Sequence, residues 1–568
     1  MIRQKWAKAA RAWAGLGAVL APCLAVSAGA ATIGAAQVGA NWPGFFGDSG
    51  AQSYSPLDQI NEGNVKNLSV AWAFSTGENG GLGATPLVVD GTMYLLAPNN
   101  HLFALDATSG KVIWSLTREV PAGTLGGVGS STGLAMGFGL LFEGTRDNHL
   151  VAVDAKTGHE VWDVQIEDYR QCKCTTSFTP IMAGDKVIVG ARGDIAHRGY
   201  ISAYDAKTGK LAWRFYVIPA PGETGNDSWP KEIWNLGGGS TWYGGSYDPE
   251  LNLVYWGVGN PQPMLNADAR PGANLYTDSV VAIDAATGKL KWYFQENPND
   301  SLDYDSAPEP TLIDVNRGGK VEKLLLHANK SGYSYLLDRA TGKYVAGWPH
   351  ADKITWAKGL DKDGHPIDPV KTELGVEKLI CPSLYGSRAG NHSTYSPKTG
   401  WWYNTSFEVC AYTKAMPITA AKEGDMFMGG FIRPVRSTDT KPFIAAFDPL
   451  TGKRAWTYET GLPSVSPLTS TGGGLVFGGD VFGNAFALDA KTGKKLWSFP
   501  TGSGISGSPI SYSVNGRQYI AIPSGLQGAP ATLIAPLWPE EAKRVPPVGS
   551  TLFVFALPET GKGAADAH

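Results

Sequence analysis

Short apolar runs alternate with a recurring polar turn along most of this chain. The turn follows the pattern A-x-D-x-x-[T/S]-G-x-x-x-W, in which the tryptophan comes eight residues after the aspartate. Asp and Gly favour tight turns between strands, so each copy predicts a strand, a turn and a second strand. Complete copies cover residues 104–114, 152–162, 203–213, 282–292, 446–456 and 487–497, and degenerate copies cover 336–342 and 555–561.

The spacing of the tryptophans gives the size of the repeating unit. Trp456 and Trp497 lie 41 residues apart, and Trp162 and Trp213 lie 51 residues apart. This spacing fits one four-stranded sheet per copy, and such sheets arranged around an axis form a β-propeller. The eight copies therefore predict an all-β, eight-bladed propeller in which the regular tryptophans dock each blade on the next.

Three segments depart from the repeat. Because Trp72 precedes the first full copy, we expect a strand there to pair with the C-terminal strand and close the ring. Residues 348–395, rich in Asp, Lys, Pro and Gly, predict an inserted excursion over one face. We expect the tail after residue 561 to be disordered.

The N-terminus has the pattern of a secretory signal. Basic residues precede an apolar run over 12–26, and small residues follow it. This pattern predicts a signal peptide over residues 1–30 and a single propeller domain over 31–568, exported to the periplasm.

Composition and cysteine count narrow the class of protein. The net charge is -3 and the chain has no run of Lys and Arg, which argues against a nucleic-acid partner. No later apolar run is long enough to span a membrane. An even number of cysteines outside the signal fits an oxidising compartment with one or two disulfides, and these are Cys172, Cys174, Cys381 and Cys410.

Sparse polar residues stand out in the apolar, glycine-rich stretch 242–330. One residue separates Asp303 from Asp305, so an extended backbone would place both carboxylates on one face. Two like charges so close need a cation or a proton between them. Asn260 adds a neutral oxygen, and oxygen ligands suit a hard cation. A metal site and a solvated Asp-rich turn both fit these residues.

Several motifs, in this order and spacing, resemble those of the quinoprotein alcohol dehydrogenases, the methanol and ethanol dehydrogenase family that uses pyrroloquinoline quinone (PQQ). They are W-G-V-G-N-P at 256–261, D-Y-D at 303–305 and Y-L-L-D-R-A-T-G at 335–342. The resemblance implies a periplasmic PQQ-dependent dehydrogenase that oxidises an alcohol to an aldehyde or ketone. A separate soluble cytochrome c would accept the electrons, since no Cys-x-x-Cys-His occurs. The alternative is a non-catalytic propeller that scaffolds or binds proteins of the bacterial envelope.

The resemblance also implies roles for single residues. Trp242 corresponds to the tryptophan under the flat quinone, and Asn260 to a metal ligand. Asp303 corresponds to the catalytic base, which removes the hydroxyl proton as hydride moves to C5 of the quinone. Lys330 corresponds to the cation that contacts the quinone oxygens, and a bound metal would polarise the C5 carbonyl. The family also has a disulfide at Cys381 and Cys410.

The groups that hold the PQQ carboxylates in this family are matched less well. Ser177 matches a hydroxyl that binds one carboxylate, and Arg192 is a candidate substitute cation. Cys172 and Cys174 either replace the disulfide that caps the ring or form a local or reduced pair. Where the family has a glutamate, a cysteine pair, an arginine and an asparagine, this chain has Gly83, Gly126 with Gly127, Thr132 and Ala389.

The family resemblance also has implications for the identity of the metal and of the substrate. Lanthanide-type members of the family have an aspartate two residues after the catalytic one, as at Asp305. Asp194, Asp303 and Asp305 would supply three negative charges and Asn260 a neutral oxygen, so we expect a lanthanide, with Ca²⁺ as the alternative. Leu302 replaces a bulky tryptophan, which favours alcohols larger than methanol.

Overall fold

A computed structural model describes residues 39–119, 121, 124, 133–193 and 195–559. The predicted signal peptide and the tail after residue 561 lie outside these residues. So do four positions discussed above: Gly126, Gly127, Thr132 and Asp194. Among the described residues, no helix is both long and apolar enough to cross a membrane.

Short strands make up most of the regular structure. The first eighteen are β1 (Tyr54–Ser55), β2 (Ser69–Ser75), β3 (Leu87–Val89), β4 (Thr92–Ala97), β5 (His101–Asp106), β6 (Val112–Thr117), β7 (Leu134–Gly137), β8 (Leu140–Gly144), β9 (His149–Asp154), β10 (Glu160–Gln165), β11 (Thr175–Thr176), β12 (Ile181–Ala183), β13 (Lys186–Arg192), β14 (Tyr200–Asp205), β15 (Leu211–Tyr216), β16 (Ser246–Asp248), β17 (Leu253–Gly257) and β18 (Ser279–Asp284). The others are β19 (Leu290–Gln295), β20 (Thr311–Arg317), β21 (Lys320–Ala328), β22 (Tyr333–Asp338), β23 (Tyr344–Pro349), β24 (Lys378–Ile380), β25 (Thr394–Ser396), β26 (Trp401–Ser406), β27 (Val409–Ala415), β28 (Gly430–Arg436), β29 (Phe443–Phe447), β30 (Arg454–Glu459), β31 (Thr469–Thr471), β32 (Leu475–Gly479), β33 (Asn484–Asp489), β34 (Lys495–Pro500), β35 (Ile510–Val514), β36 (Arg517–Ser524) and β37 (Thr551–Ala556). The α-helices are α1 (Tyr169–Cys172), α2 (Ile534–Leu537) and α3 (Pro539–Ala542).

Most strands pair with their neighbours in the chain. Within the described residues they form eight sheets of four or five strands and one sheet of three strands. One sheet joins the two ends of the described chain, because β2 pairs antiparallel with β37, Ser69 opposite Ala556. The predicted closure by an N-terminal strand is therefore confirmed, as is the all-β class.

The regular tryptophans link each sheet to the next, as predicted. Nε1 of Trp114 donates to Ala155 O at 3.1 Å, and Ala155 follows the aspartate of the next copy. Gly158 of that copy has φ +73°, and a Cβ there would lie 2.7 Å from Trp114 Cδ2. Glycine is therefore needed both for the turn and for the ring beside it. The same bond is made by Trp162, Trp213, Trp292 and Trp456. Trp497 donates instead to Leu68 O at 3.2 Å, just before β2.

One further tryptophan docks where the sequence suggested an excursion. Trp348 lies in β23 and packs against Gly452, the glycine of the next copy. Tyr395 lies in β25, within a four-stranded sheet. The excursion is therefore narrower than 348–395 and runs from residue 350 to residue 393.

A second excursion, which the sequence did not reveal, joins the first. It spans residues 407–442, between β26 and β29. Strands β27 and β28 from this excursion and β24 from the first make the three-stranded sheet. A disulfide between Cys381 and Cys410 ties the two together, which confirms the pairing implied by the family resemblance.

Candidate active site

The residues singled out by the sequence lie at one end of two neighbouring sheets. Trp242 precedes β16, Asn260 follows β17, and Asp303 lies between β19 and β20. Lys330 lies in the hairpin between β21 and β22. Because successive strands of these sheets are antiparallel, the start of β16, the end of β17 and the end of β19 all lie at one end. The connections that carry these side chains therefore meet at a single face.

A lysine ammonium lies between the two predicted carboxylates. Nζ of Lys330 is 2.9 Å from Asp303 Oδ2 and 2.7 Å from Asp305 Oδ2. The lysine side chain is 10% exposed and each aspartate side chain 3%. Burial strengthens the attraction between opposite charges, so the ammonium holds the two carboxylates together. A solvated Asp-rich turn, the alternative open from the sequence, does not fit this burial.

The two carboxylates converge for a different reason from the one expected. The condition of an extended backbone is not met, because the segment between β19 and β20 forms no strand and Asp303 has φ +63°. The carboxylate of Asp300 shapes this segment by accepting from the backbone N–H groups of Leu302 and Tyr304 at 3.1 Å each. This segment presents Asp303 and Asp305 to one ammonium.

Asp305 contacts three of the other predicted site residues. Beside its bond to Lys330, Oδ1 accepts from the backbone N–H of Asn260 at 2.9 Å, and Oδ2 accepts from Trp242 Nε1 at 3.2 Å. The side-chain nitrogen of Asn260 donates to Pro261 O at 3.3 Å, so its amide oxygen is the atom suited to a cation. A Cβ on Gly259 would collide with Asp305 Oδ1, and only glycine permits this approach.

Aromatic side chains form a floor beside the carboxylates. Trp242 is half-buried, and the rings of Phe178 and Tyr243 meet it edge-on at centroid distances of 5.3 and 5.5 Å. Arg192 lies over the Phe178 ring, with Cζ 4.2 Å from its centroid. A Cβ on Gly390 would lie 2.9 Å from Phe178. The indole of Trp242 therefore belongs to a closely packed aromatic floor with the guanidinium of Arg192 at its edge.

A buried network ties the aspartate turn to the lysine hairpin. The carboxylate of Glu296 accepts from Ser306 Oγ at 2.6 Å and from Asn329 Nδ2 at 2.7 Å. Its other oxygen lies 2.7 Å from His327 Nδ1. Ser306 follows Asp305, and Asn329 precedes Lys330, so this network fixes the distance between the ammonium and the carboxylates.

Ser177 is buried and already hydrogen-bonded within the fold. Its hydroxyl accepts from Gly190 N at 3.2 Å and donates to Thr179 O at 3.1 Å. Its role toward a cofactor carboxylate stays a prediction. Asp194, the provisional metal ligand, lies outside the described residues.

Cys172 and Cys174 form a disulfide in a buried cluster. Asn148 Nδ2 lies 3.2 Å from Cys174 Sγ, and His197 Nε2 lies 3.2 Å from a carboxylate oxygen of Glu167. Glu167, Cys174 and His197 gather closely enough to resemble a metal site. Because Cys174 is oxidised it offers no thiolate ligand, and we regard the cluster as structural.

Two buried charges beside this site were not found from the sequence. Arg270 and Asp278 lie in the long connection between β17 and β18, and both are fully buried. Burial lowers the pKa of Arg270 to about 10, against the opposing effect of Asp300. Asp278 belongs to the run T-D-S-V-V-A-I-D, which predicts only the start of a strand, and no local pattern indicates burial.

Comparison with known proteins identifies the family. Residues 42–350 and 458–520 match the family described as "PQQ: Glucose/ethanol/alcohol dehydrogenase, beta-propeller domain". The chain belongs to the PQQ-dependent alcohol dehydrogenase family. It is 36% identical over 543 residues to the quinoprotein alcohol dehydrogenase PedH of Pseudomonas putida, covering 89% of each chain.

Two relatives in this family have names that mention a lanthanide. The lanthanide-dependent methanol dehydrogenase of Methylorubrum extorquens is 35% identical over 515 residues, covering 84% of this chain and 85% of the relative. The solved structure of a europium-containing methanol dehydrogenase superposes with a TM-score of 0.86 at 33% identity, covering 91% of this chain and 98% of the other.

At one departure from the family pattern, another side chain fills the space. Gly83 stands where the family pattern has a glutamate, and a Cβ there would collide with the side chain of Gln527. With its amide oriented to satisfy both neighbours, Gln527 donates to Gly81 O at 2.9 Å and accepts from Gly83 N at 3.2 Å. A polar amide from a distant loop therefore lies beside Gly83.

Proposed function

We propose that this protein is a periplasmic PQQ-dependent dehydrogenase that oxidises an alcohol to an aldehyde or ketone. The observation that carries the proposal is the convergence of Asp303, Asp305, Asn260 and Lys330 beside the half-buried indole of Trp242. We further propose that the eight larger sheets are the eight blades of one propeller spanning residues 31–568, and that residues 1–30 are a signal peptide.

The donor set fits both the metal and PQQ. Asn260, Asp303 and Asp305 offer buried oxygen donors, as hard cations require, and Trp242 offers a flat apolar face held by Phe178 and Tyr243. Asn260 and the two aspartates would hold the metal. Trp242, Lys330, Arg192 and Ser177 are the proposed PQQ contacts.

The chain's own residues would handle the substrate proton and the orientation of the reactants. When bound, PQQ supplies the two-electron acceptor and the metal supplies Lewis-acid polarisation. Asp303 accepts the proton of the substrate hydroxyl, and a positioned base of this kind contributes about 10²–10⁴-fold. Lys330 would donate a hydrogen bond to the quinone oxygen on which negative charge develops. Trp242 would orient the flat quinone by stacking against it.

We favour a lanthanide over Ca²⁺ because Asp305 adds a buried carboxylate to the site. An additional negative charge stabilises a trivalent ion more than a divalent one, since Coulomb energy scales with ion charge. Two lanthanide-named relatives support this choice. If the purified protein worked with Ca²⁺ and gained nothing from La³⁺ or Ce³⁺, the metal assignment would fail while the PQQ assignment survived.

The direct test is reconstitution. The purified full chain is loaded with PQQ and either La³⁺ or Ca²⁺, and dye reduction is followed with a panel of alcohols. We expect activity to require both PQQ and metal, and to include alcohols larger than methanol because Leu302 replaces a tryptophan. Failure to bind PQQ would instead favour a scaffold or binding protein of the envelope.

A separate soluble cytochrome c is the proposed electron acceptor. The chain has no Cys-x-x-Cys-His motif and therefore no covalent haem of its own. Reduction of a purified periplasmic cytochrome c by the loaded enzyme and alcohol, without dye, tests this proposal. An enzyme that reduces dye but no such cytochrome would contradict it.

A further inference from the structure

Asp278 is a buried carboxylate whose backbone is hydrogen-bonded next to the candidate metal ligand Asn260. Its backbone N–H donates to Gly259 O at 3.1 Å, next to Asn260, and its carbonyl oxygen accepts from Glu296 N at 2.8 Å. The residue is fully buried, with an exposure of 0%. Among the described residues neither carboxylate oxygen has a hydrogen-bond partner. The backbone is therefore firmly held while the carboxylate itself is left unsatisfied.

Other buried acids on this face are well paired. Both oxygens of Glu309 lie within 2.8 Å of Arg388 Nη2, and one also accepts from Ser393. Glu296 is bonded to His327, Asn329 and Ser306. Buried carboxylates normally need such partners, because desolvating an unpaired charge is costly. Asp278 differs from these two residues in having none among the described groups.

The charges around Asp278 further disfavour its ionised form. Burial raises its pKa well above the usual value, and the negative charges of Asp300, Asp305 and Asp303 act in the same direction. Arg270 acts in the opposite direction. While the site lacks a cation, burial and these negative charges favour the protonated carboxyl of Asp278, and a cation bound nearby would favour its charged form.

Arg270 does not pair directly with Asp278. Its guanidinium donates to Pro263 O at 3.0 Å, to Asn274 Oδ1 at 2.8 Å and to Met264 O at 3.3 Å, and it also donates to the backbone oxygen of Asp300. These four acceptors are neutral oxygens. The guanidinium therefore braces the long connection and leaves the carboxylate of Asp278 without a hydrogen-bonded counter-ion.

We propose that Asp278 is an outer carboxylate of the cation site at Asn260, Asp303 and Asp305, and that its charge favours a trivalent over a divalent ion. This inference rests on the proposed function, because it assumes a cation at that site. Asp278 acts through space on the bound ion and is not a catalytic residue. The extra attraction for each added unit of ion charge makes its effect one of selectivity.

The test removes the charge and keeps the shape. Asp278→Asn is compared with wild type by titrating the PQQ-loaded full chain with Tb³⁺, following luminescence, and then displacing Tb³⁺ with La³⁺ or Ca²⁺. We expect the ratio of La³⁺ to Ca²⁺ affinity to fall about ten-fold or more, on the basis of Coulomb attraction across a site of intermediate dielectric. Asp268→Asn removes an exposed charge from the same connection and should leave the ratio unchanged. A ratio within two-fold of wild type in Asp278→Asn would overturn the proposal.

Thermal unfolding separates this role from a purely structural one. Without metal, Asp278→Asn should unfold at the same temperature as wild type or higher, because a buried, unsatisfied carboxylate has been removed. Added La³⁺ should then stabilise the variant less than wild type. If the metal-free variant were clearly less stable, Asp278 would be structural and the proposal would fail.

Two controls keep the outcomes distinguishable. Should Asp278→Asn not fold, Asp278→Ser removes the same carboxylate with a smaller side chain and is judged by the same affinity ratio. If wild type bound neither La³⁺ nor Ca²⁺, the proposed function itself would fail. If wild type bound metal and oxidised alcohols while the ratio in the variant stayed unchanged, only this inference would fail.

Discussion

Tryptophan and aspartate make different contacts in two regions of the molecule: the docked sheets, and the face formed by the connections that carry Asp303 and Lys330. In the sheets, Trp456 donates its indole N–H to the backbone oxygen of Ala490 at 3.0 Å and covers a glycine of the next copy. At the face, Trp242 donates to the carboxylate of Asp305 at 3.2 Å and keeps part of its ring uncovered. The first contact stabilises the fold, and the second holds the ring that we propose as the binding surface for PQQ.

Acidic residues differ between the two regions in the same way. The turn aspartates, such as Asp154, are only partly buried and accept from a threonine hydroxyl, here that of Thr157, and from nearby backbone N–H groups, which lowers their pKa. The face contains buried acids gathered around one ammonium. Concentrated buried charge is costly to the fold. Its presence at one face of an otherwise regular structure marks the place where function is expected.

The largest expected effect is a loss of turnover without a loss of stability, on replacing the proposed base at the face. Asp303→Asn should reduce turnover by about 10²–10⁴-fold, because the base is lost while the shape is kept. PQQ affinity and the unfolding temperature should stay near wild-type values. Stopped-flow dye reduction, PQQ titration and calorimetry measure the three quantities. Near-normal turnover in this variant would refute the role of Asp303.

Two tryptophan variants form a matched pair across the two regions. Trp456→Ala should lower the free energy of unfolding by about 3–5 kcal/mol, because a large buried ring is lost from the packed sheets. Trp242→Ala should weaken PQQ binding by a few kcal/mol with a smaller effect on folding. Denaturant unfolding and PQQ titration of both variants give the comparison. Equal PQQ affinity in Trp242→Ala and wild type would contradict the stacking role.

Replacing Asp305 tests whether the site prefers a lanthanide to Ca²⁺. Asp305→Ala takes away a carboxylate that accepts from Asn260 and pairs with Lys330. We expect lanthanide-supported activity to be lost and La³⁺ affinity to fall about ten-fold or more, with a smaller change for Ca²⁺. Competition against Tb³⁺ luminescence measures both affinities. Intact lanthanide-supported activity would contradict this account.

A buried acid away from the carboxylate pair gives a distinct pH signature. Burial raises the pKa of Glu143 to about 8. Between its unfolded pKa, about 4.3, and pH 8, the unfolded state releases the proton more readily, so wild type loses stability as pH rises. Glu143→Gln should therefore exceed wild type in stability at pH 8, with the difference shrinking toward pH 5. Urea unfolding at several pH values measures it, and a pH-independent difference would exclude this cause.

The features that could be predicted from the sequence are those that depend on residues close together in the chain. The turn motif carries its own Asp, Gly and Trp, so the all-β repeat and the docking role of Trp114 followed from spacing. The family resemblance pointed to Trp242, Asn260, Asp303, Asp305 and Lys330, which the structure brings together.

The missed features rest on contacts between distant segments. The second excursion meets the first through residues 378–380 and 409–415, which no local pattern pairs. The burial of Asp278 depends on the surrounding connections. The backbone at Asp303 is not extended, because the side chain of Asp300 accepts from the backbone N–H groups of Leu302 and Tyr304 and bends the segment.

A single-turnover experiment tests the central claim most directly. The purified chain is loaded with PQQ and La³⁺, the unbound PQQ is removed, and alcohol is added without dye while the absorbance of bound PQQ is followed. We predict one PQQ per chain, reduced in full by alcohol in wild type and bound but reduced far more slowly in Asp303→Asn. A chain that binds no PQQ, or binds PQQ that alcohol does not reduce, would contradict the account.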